Sequence, residues 1–443
     1  MKIQLSDHFT YKKLFRFTLP SIVMMIVTSV YSVVDGLFVS NLVGDMALSA
    51  VNIVWPIIMI IGAFGFMLGT GGCAVVARTL GEGKKELANR YFSMIIYTVI
   101  ILGALLSLLG IIFIEPLVRF AGASDLLIHD SVLYGRILLA GMAAFMLQTT
   151  FQSFFIVAER PHMGLVLSLA AGVTNMVLDY VFIRVFGMGV AGAALATILG
   201  YVVGGIIPFF YFLSSKRDGL RLVKTKFYGK VLLHSCTNGS SEMMNNVAAS
   251  IVGMLFNIQL MRVIGESGVA AFAVMMYVDF IFLGTFFGFS VGSAPVISYH
   301  YGAGNHDELK NIFRKSMIIT GSVSLAMLCI SQMMAGTLCQ IFVGYNPELM
   351  AMTLHGFRLF ALNYVMSGIN VYSSAFFTAL CNGKISALLS FMRAFLLRGG
   401  MVLLLPLILG TDGIWLSVVV AEALGALLSV YFFVTKRKQY HYA

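Results

Sequence analysis

The sequence predicts an all-α integral membrane protein: twelve transmembrane helices in two six-helix lobes, related by a pseudo-two-fold axis along the membrane normal. Three observations predict it. The composition is too apolar for a soluble protein, apolar stretches of bilayer-crossing length recur along the whole chain, and the first half repeats in the second.

Of 443 residues, 59% are hydrophobic and only 11% charged, whereas a soluble domain carries about 25% charged residues. A helix needs about 20 apolar residues to cross a bilayer core. Strand-like alternation is absent, which argues against a barrel, and a helix satisfies its own backbone hydrogen bonds in lipid. The predicted spans are 14–40, 48–76, 91–114, 131–157, 164–186, 189–213, 232–261, 269–298, 312–342, 352–380, 384–409 and 412–434. The basic, glycine-containing stretch SSKRDGLRLVKTKFYGK at 214–230 separates six spans from six. It divides the chain into an N-terminal lobe (1–213), a cytoplasmic linker (214–230) and a C-terminal lobe (231–443).

With the N-terminus inside, the inside segments carry 22 of the 29 Lys and Arg residues and the outside ends five; Arg393 and Arg398 fall within a span. This asymmetry follows the positive-inside rule. It places both termini in the cytoplasm and accounts for the net charge of +10 without a nucleic-acid partner. Cys73, Cys236, Cys329, Cys339 and Cys381 form no CxxC, and the eight histidines form no cluster. No structural metal or cofactor is expected. The polar, basic N-terminus precedes a long span rather than a short apolar core with a cleavage site, so it does not read as a signal peptide.

At an offset of 221, Gly71 meets Gly292, Gly81 and Gly83 meet Gly302 and Gly304, and Phe92 meets Phe313. The loops TLGEGKKEL and HYGAGNHDEL then occupy equivalent places, each leading from a second span into a third. Six helices separate the repeats, an even number, so they share one orientation and are parallel repeats. The GxG loops lack a preceding strand and the full phosphate-binding fingerprint. They read as glycine-terminated helices entering a cytoplasmic link.

The two-lobed pattern, with LGEG and YGAG after the second helix of each lobe, resembles the multidrug and toxic compound extrusion (MATE) transporters. So do PSIVMMIVTSVYSVVDGLFVSNLVG, AGVTNMVLDYVFI, GVAGAALAT and DGIWLSVVVAE. The resemblance covers nearly the whole chain and is closer to the DinF-like and MepA-like branches than to the NorM-like branch. It implies a V-shaped pair of lobes around a central cavity. It also implies export of drugs, driven by protons or sodium ions, from a bacterial inner membrane. The chain is expected to act as a monomer on small cationic substrates.

Ionisable side chains inside a bilayer cost several kcal/mol and are functional candidates by default. Those within the predicted spans are Asp35, Asp179, Glu242, Asp279, Glu422, Arg393 and Arg398. Pro20 frees a backbone carbonyl in the first helix and can bend it. Asn175 and Asp179, four residues apart, share one helical face. In the DinF-like branch a first-helix Asp, a fifth-helix Asn and Asp and a sixth-helix Thr line an ion site. The resemblance therefore implies that Asp35, Asn175, Asp179 and Thr197 form a proton or sodium site. Their oxygens suit a hard cation, and an acid in an apolar bundle is tolerated neutral but costly when charged. The structural alternative is that Asp35 or Asp179 merely pins a neighbouring helix. At the repeat offset Asp35 becomes Phe256 and Asp179 falls near Gly400, so these acids are not duplicated.

Glu242 is expected to attract a cationic substrate, or else to contact Asn245 or Asn246. The NorM-like branch pairs such an acid with a tenth-helix Asp, which LNYVMSGINVYSSAFFTAL lacks. Asp279 is a further candidate, and Met243, Met244, Met275, Met276 and Phe287 are expected to line an adaptable cavity wall. Arg393 and Arg398 read best as partners of these acids. The leading expectation is an antiporter exporting lipophilic organic cations. A flippase or exporter of a lipid-linked or anionic metabolite would require more cavity cations. An enzyme would require a clustered catalytic motif, which is absent.

Overall fold

The computed structural model describes residues 3–214, 219–344 and 346–443, and the side chains of these except 31–42 and 45. The helices are α1 (Tyr11–Leu42), α2 (Asp45–Gly81), α3 (Lys85–Phe120) and α4 (Ile128–Ala140 with Met142–Val157). They continue with α5 (Pro161–Val185), α6 (Gly189–Ser214), α7 (Gly229–Val263) and α8 (Glu266–Gly302). The last four are α9 (His306–Val343), α10 (Pro347–Phe360 with Tyr364–Ala379), α11 (Gly383–Leu409) and α12 (Thr411–Tyr440). Among the described residues ten are long and apolar enough to cross a membrane by themselves, and the bent α4 makes eleven. The broken α10 completes the twelve. Many run a turn or two beyond the predicted spans, because the helices continue past the apolar core into polar ends.

Four departures from regular helix are not visible in the hydropathy. The halves of α4 meet at Gly141 at an angle of 55°. The halves of α10 are joined by a 3₁₀ turn, Ala361–Asn363, where the Asn363 amide donates to the Phe360 carbonyl at 2.6 Å. α5 and α11 contain π-helical segments, Tyr180–Val185 and Phe391–Leu397; such bulges recur at functional sites. Pro20 sits inside the unbroken helix α1.

The repeat is visible in the packing. Phe92 lies 5.1 Å from Phe212, ring centre to centre, and the equivalent Phe313 lies 5.2 Å from Phe433, both edge to face. Within the GxG loops the two glycines do different work. Gly83 and Gly304 take φ +77° and +66°, a left-handed conformation that ends each helix cleanly. Gly81 and Gly302 remain helical and bring the lobes together. A methyl group on Gly81 would strike the carbonyl oxygen of Tyr299, and one on Gly302 that of Arg78. Arg78 and Tyr299 are themselves equivalent at the 221 offset.

The lobes meet along α2–α7 and α1–α8. Gly71 packs on the backbone of Ser235 and Gly239, and Gly292 on Thr18 and Ser21. These contacts lie in the helix halves next to the GxG loops. Toward the other ends of α2 and α8, the equivalent residues Ile60 and Ile281 are each 39% exposed. The lobes are therefore sealed at the end next to the GxG loops.

The two segments that lead into the lobes cross over. Residues 3–10, ahead of α1, dock on α9. The buried Phe9 N–H donates to Glu308 Oε1 at 2.8 Å, and Asn311 and Lys315 donate to the Phe9 carbonyl. Residues 219–228, ahead of α7, dock on α3 of the first lobe. There Arg221 and Val223 N–H groups donate to Asn89 and Ser93, and Leu220 and Leu222 are buried.

Candidate functional site

In the first lobe, Asn175 and Asp179 are fully buried on the inner face of α5 and Thr197 is 2% exposed on α6. A helical step of four places Asn175 and Asp179 one above the other. The glycine at 200 lets α6 approach; a Cβ there would lie 3.3 Å from that of Asn175. The Asn175 amide donates to Thr197 Oγ1 at 3.2 Å, and Thr197 in turn donates to the Ala193 carbonyl at 2.9 Å. Asn175 Oδ1 has no hydrogen-bond partner among the described residues. Buried acceptors are rarely left so, and this one offers an oxygen ligand. α1 packs against α5, but Asp35, expected in the same shell, lies outside the residues whose side chains are described. The structure thus brings together Asn175, Asp179 and Thr197.

The second lobe holds an ionic cluster between α8, α10, α11 and α12. Glu422 is fully buried. Its Oε1 accepts from Arg398 Nη2 at 2.7 Å and Nε at 3.1 Å, and lies 3.6 Å from Arg393. Its Oε2 accepts from the Asn370 amide at 2.6 Å. Asn370 Oδ1 is held by Ser429. The arginines therefore neutralise an acid, as expected of them, and the acid they hold is Glu422. Asp279, 2% exposed, stands at the edge of this cluster beside Tyr364. Asp279 Oδ1 and Arg393 Nη1 are buried without hydrogen bonds among the described residues.

Glu242 on α7 is half-buried. Asn246 donates to its backbone carbonyl rather than to its carboxylate. The carboxylate makes no hydrogen bond among the described residues, and Arg393 is the cation that bears on it. Met243, Met244, Met276 and Phe287 are partly exposed. Met275 departs from its expected place on a cavity wall. It is fully buried in the core of the second lobe, where Gly356 and Trp415 crowd it. Hydrophobicity alone cannot tell which face of an all-apolar helix looks inward.

Asn370 and Tyr364 are not acids, so the ionisable residues of the spans do not point to them. The signal available was polar spacing, with Asn363, Ser367, Asn370 and Ser374 recurring every three or four residues and marking one face. Among the described residues no group of His, Cys, Asp and Glu is arranged to hold a metal ion.

The MatE family profile matches residues 20–181 and 243–402, most of both lobes. The multidrug export protein MepA of Staphylococcus haemolyticus is 22% identical over 437 residues, covering 97% of this chain and 94% of that one. Its counterpart from Staphylococcus saprophyticus is likewise 22% identical, over 95% of this chain and 93% of that one. Among solved structures, an outward-facing multidrug resistance MATE transporter of the MOP superfamily superposes with TM-score 0.92 at 23% identity, covering 100% of this chain and 99% of that one. A Pyrococcus furiosus transporter, described as having a binding pocket of reversed polarity, superposes with TM-score 0.89 at 24% identity over 97% of each chain.

Proposed function

The chain belongs to the MatE family, a family of multi-pass membrane transporters, and from that premise we propose that it is a secondary active multidrug efflux antiporter. In this reading it exports lipophilic organic cations in exchange for inward-moving protons or sodium ions, by alternating access. It resides in the bacterial cytoplasmic membrane as a monomer with both termini inside. The lobes 1–213 and 231–443 rock about the seam, joined by 214–230. With the GxG loops on the cytoplasmic side, the sealed end is the inner one.

One observation carries the reading: the buried Asn175–Thr197 pair with Asp179, on the helix that α1 packs against. An ion can drive transport only by binding differently to two states. A carboxylate with amide and hydroxyl neighbours can take a proton or sodium ion there and bias how α1 packs. Asp35 would complete that shell. Glu242 supplies negative charge on the second lobe for the cationic substrate, with Met243, Met244, Met276 and Phe287 as its apolar surroundings; Asp279, expected beside it, is buried beside Tyr364 instead. The flippase reading needs cations free in the cavity. Arg398 is instead hydrogen-bonded to Glu422, and Arg393 is buried 3.6 Å from it, which favours the antiporter.

The test is efflux of a fluorescent organic cation from vesicles under an imposed proton gradient and, separately, a sodium gradient. Efflux driven by one and not the other identifies the coupling ion. Efflux driven by neither, with a correctly inserted protein, overturns the antiport reading.

A further inference from the structure

The segment 219–228 forms one wall of a groove lined by none of the residues assigned above to ion or substrate. The groove holds about 380 Å³ and lies between this segment and α3, lined by Met94, Tyr97, Ile101, Leu105, Lys226 and Phe227 among others. Its inner wall is the bilayer-facing side of α3. Its outer rim is Phe227, an aromatic 76% exposed, with Lys226 beside it. An exposed phenylalanine next to a lysine suits the membrane interface, where a ring lies at headgroup level and a cation meets phosphate.

We propose that this groove binds an anionic phospholipid, its phosphate at Lys226 and one acyl chain along Ile101 and Leu105. Four features support it. Lys226 has no ion-pair partner among the described residues, so its charge is available. Arg221 and Lys224 add positive charge on the same short segment, and Lys230 follows in the first turn of α7. From Met94 to Leu105 is eleven residues, which at 1.5 Å per residue is about 16 Å. That is close to half the ~30 Å hydrocarbon core, the depth of one leaflet. Finally, the site is preformed. Thr225 Oγ1 donates to the Arg90 carbonyl at 2.9 Å, and the Tyr228 N–H lies 3.1 Å from Met94 Sδ. The Tyr228 ring packs edge-on against Tyr91 at 5.1 Å. The lipid would cover Phe227 and hold the segment that joins the two lobes against the first of them.

The test is thermal unfolding of the purified full chain in detergent. Phosphatidylglycerol, phosphatidylcholine of the same acyl chains, and inorganic phosphate are titrated in turn. Phosphatidylglycerol should raise the unfolding temperature at lower concentration than phosphatidylcholine, and phosphate alone should not raise it. Lys226→Gln should weaken the phosphatidylglycerol response about fivefold, the contribution of one interfacial lysine. Phe227→Ala should weaken the response to both lipids, and the distant Lys438→Gln should change neither. These side chains are exposed, so the variants keep the fold. Equal responses to the two lipids, or a preference untouched by Lys226→Gln, would overturn the proposal. So would a shift reproduced by phosphate alone, which would indicate an anion site with no acyl groove.

Discussion

The two lobes carry their polar groups between the same pair of helices, α5–α6 in one and α11–α12 in the other, and fill the space differently. Gly200 and Glu422 each stand eleven residues after the first residue of α6 and α12. In the first lobe the glycine leaves room for Asn175 and, through it, a hydrogen bond to Thr197. In the second lobe the glutamate reaches across to two arginines and an asparagine. One duplicated scaffold thus yields a site built of oxygen ligands and a site built of ion pairs. The difference suggests a test of the proposed coupling site against a structural one. A carboxylate flanked by amide and hydroxyl groups can change its partner during a cycle. One tied by two guanidinium groups is a fixed strut.

The sharpest way to break this comparison is to neutralise one acid in each lobe. Asp179→Asn should abolish gradient-driven efflux, a loss of at least about 100-fold if the residue belongs to a coupling unit, while the protein inserts and unfolds at nearly the same temperature. Asp35→Asn is expected to match it, and the double variant to be little worse than either. Glu422→Leu should do the reverse. Stranding Arg393 and Arg398 leaves uncompensated buried charge, at a cost of about 3–5 kcal/mol, seen as a lower unfolding temperature and poor yield. Adding Arg398→Met should recover part of that loss. An Asp179→Asn protein that fails to fold, beside a stable but uncoupled Glu422→Leu protein, would exchange the two roles.

A smaller effect sharpens the first lobe alone. Thr197→Val keeps the shape and removes the hydroxyl that Asn175 bonds at 3.2 Å. A hydrogen bond to a neutral group is worth about 1 kcal/mol, so the coupling-ion concentration for half-maximal transport should rise roughly fivefold while the maximal rate is kept. An unchanged ion response in Thr197→Val would remove Thr197 from the ion's shell and leave it a helix contact.

How much of this was legible in the sequence depends on range. The spans, the repeat and the GxG helix ends are local or periodic, so hydropathy and spacing revealed them. Asn175 and Asp179 were legible as a pair because four residues make one helical turn. The grip of Arg398 on Glu422 joins residues 24 apart on neighbouring helices, and no spacing rule distinguishes it from a clasp on Asp279. The π segments after Asp179 and around Arg393 change the phase of their helices without changing composition. Met275, expected on the cavity wall, lies in the core, because an all-apolar helix has no readable inner side. The docking of residues 3–10 across the seam was hidden because its partners, Glu308, Asn311 and Lys315, look like ordinary solvated residues at the start of a helix.

That crossing segment gives the smallest expected effect and bears on the seam both lobes share. Glu308 is 6% exposed and accepts from the Phe9 N–H at 2.8 Å and from Asn311 at 2.8 Å, with His8 at 2.5 Å from its other oxygen. Leu5, on the same segment, donates its N–H to Glu159 of the first lobe at 3.0 Å. Residues 3–10 therefore bridge both lobes at the sealed end, and separating the lobes there must release one side of the bridge. Glu308→Gln keeps an acceptor oxygen but loses the carboxylate charge, and a hydrogen bond to a charged group is worth about 1.5–3 kcal/mol against about 1 for a neutral one. A shift of about 1 kcal/mol toward release follows, roughly a fivefold rise in how often the segment is free. Limited proteolysis near Lys12 and Lys13 should quicken by about that factor, with efflux changed far less than by Asp179→Asn. Unchanged cleavage, with Asn311→Ala also silent, would mean that the segment is held by the packing of Leu5 and Phe9 and that its polar contacts only follow.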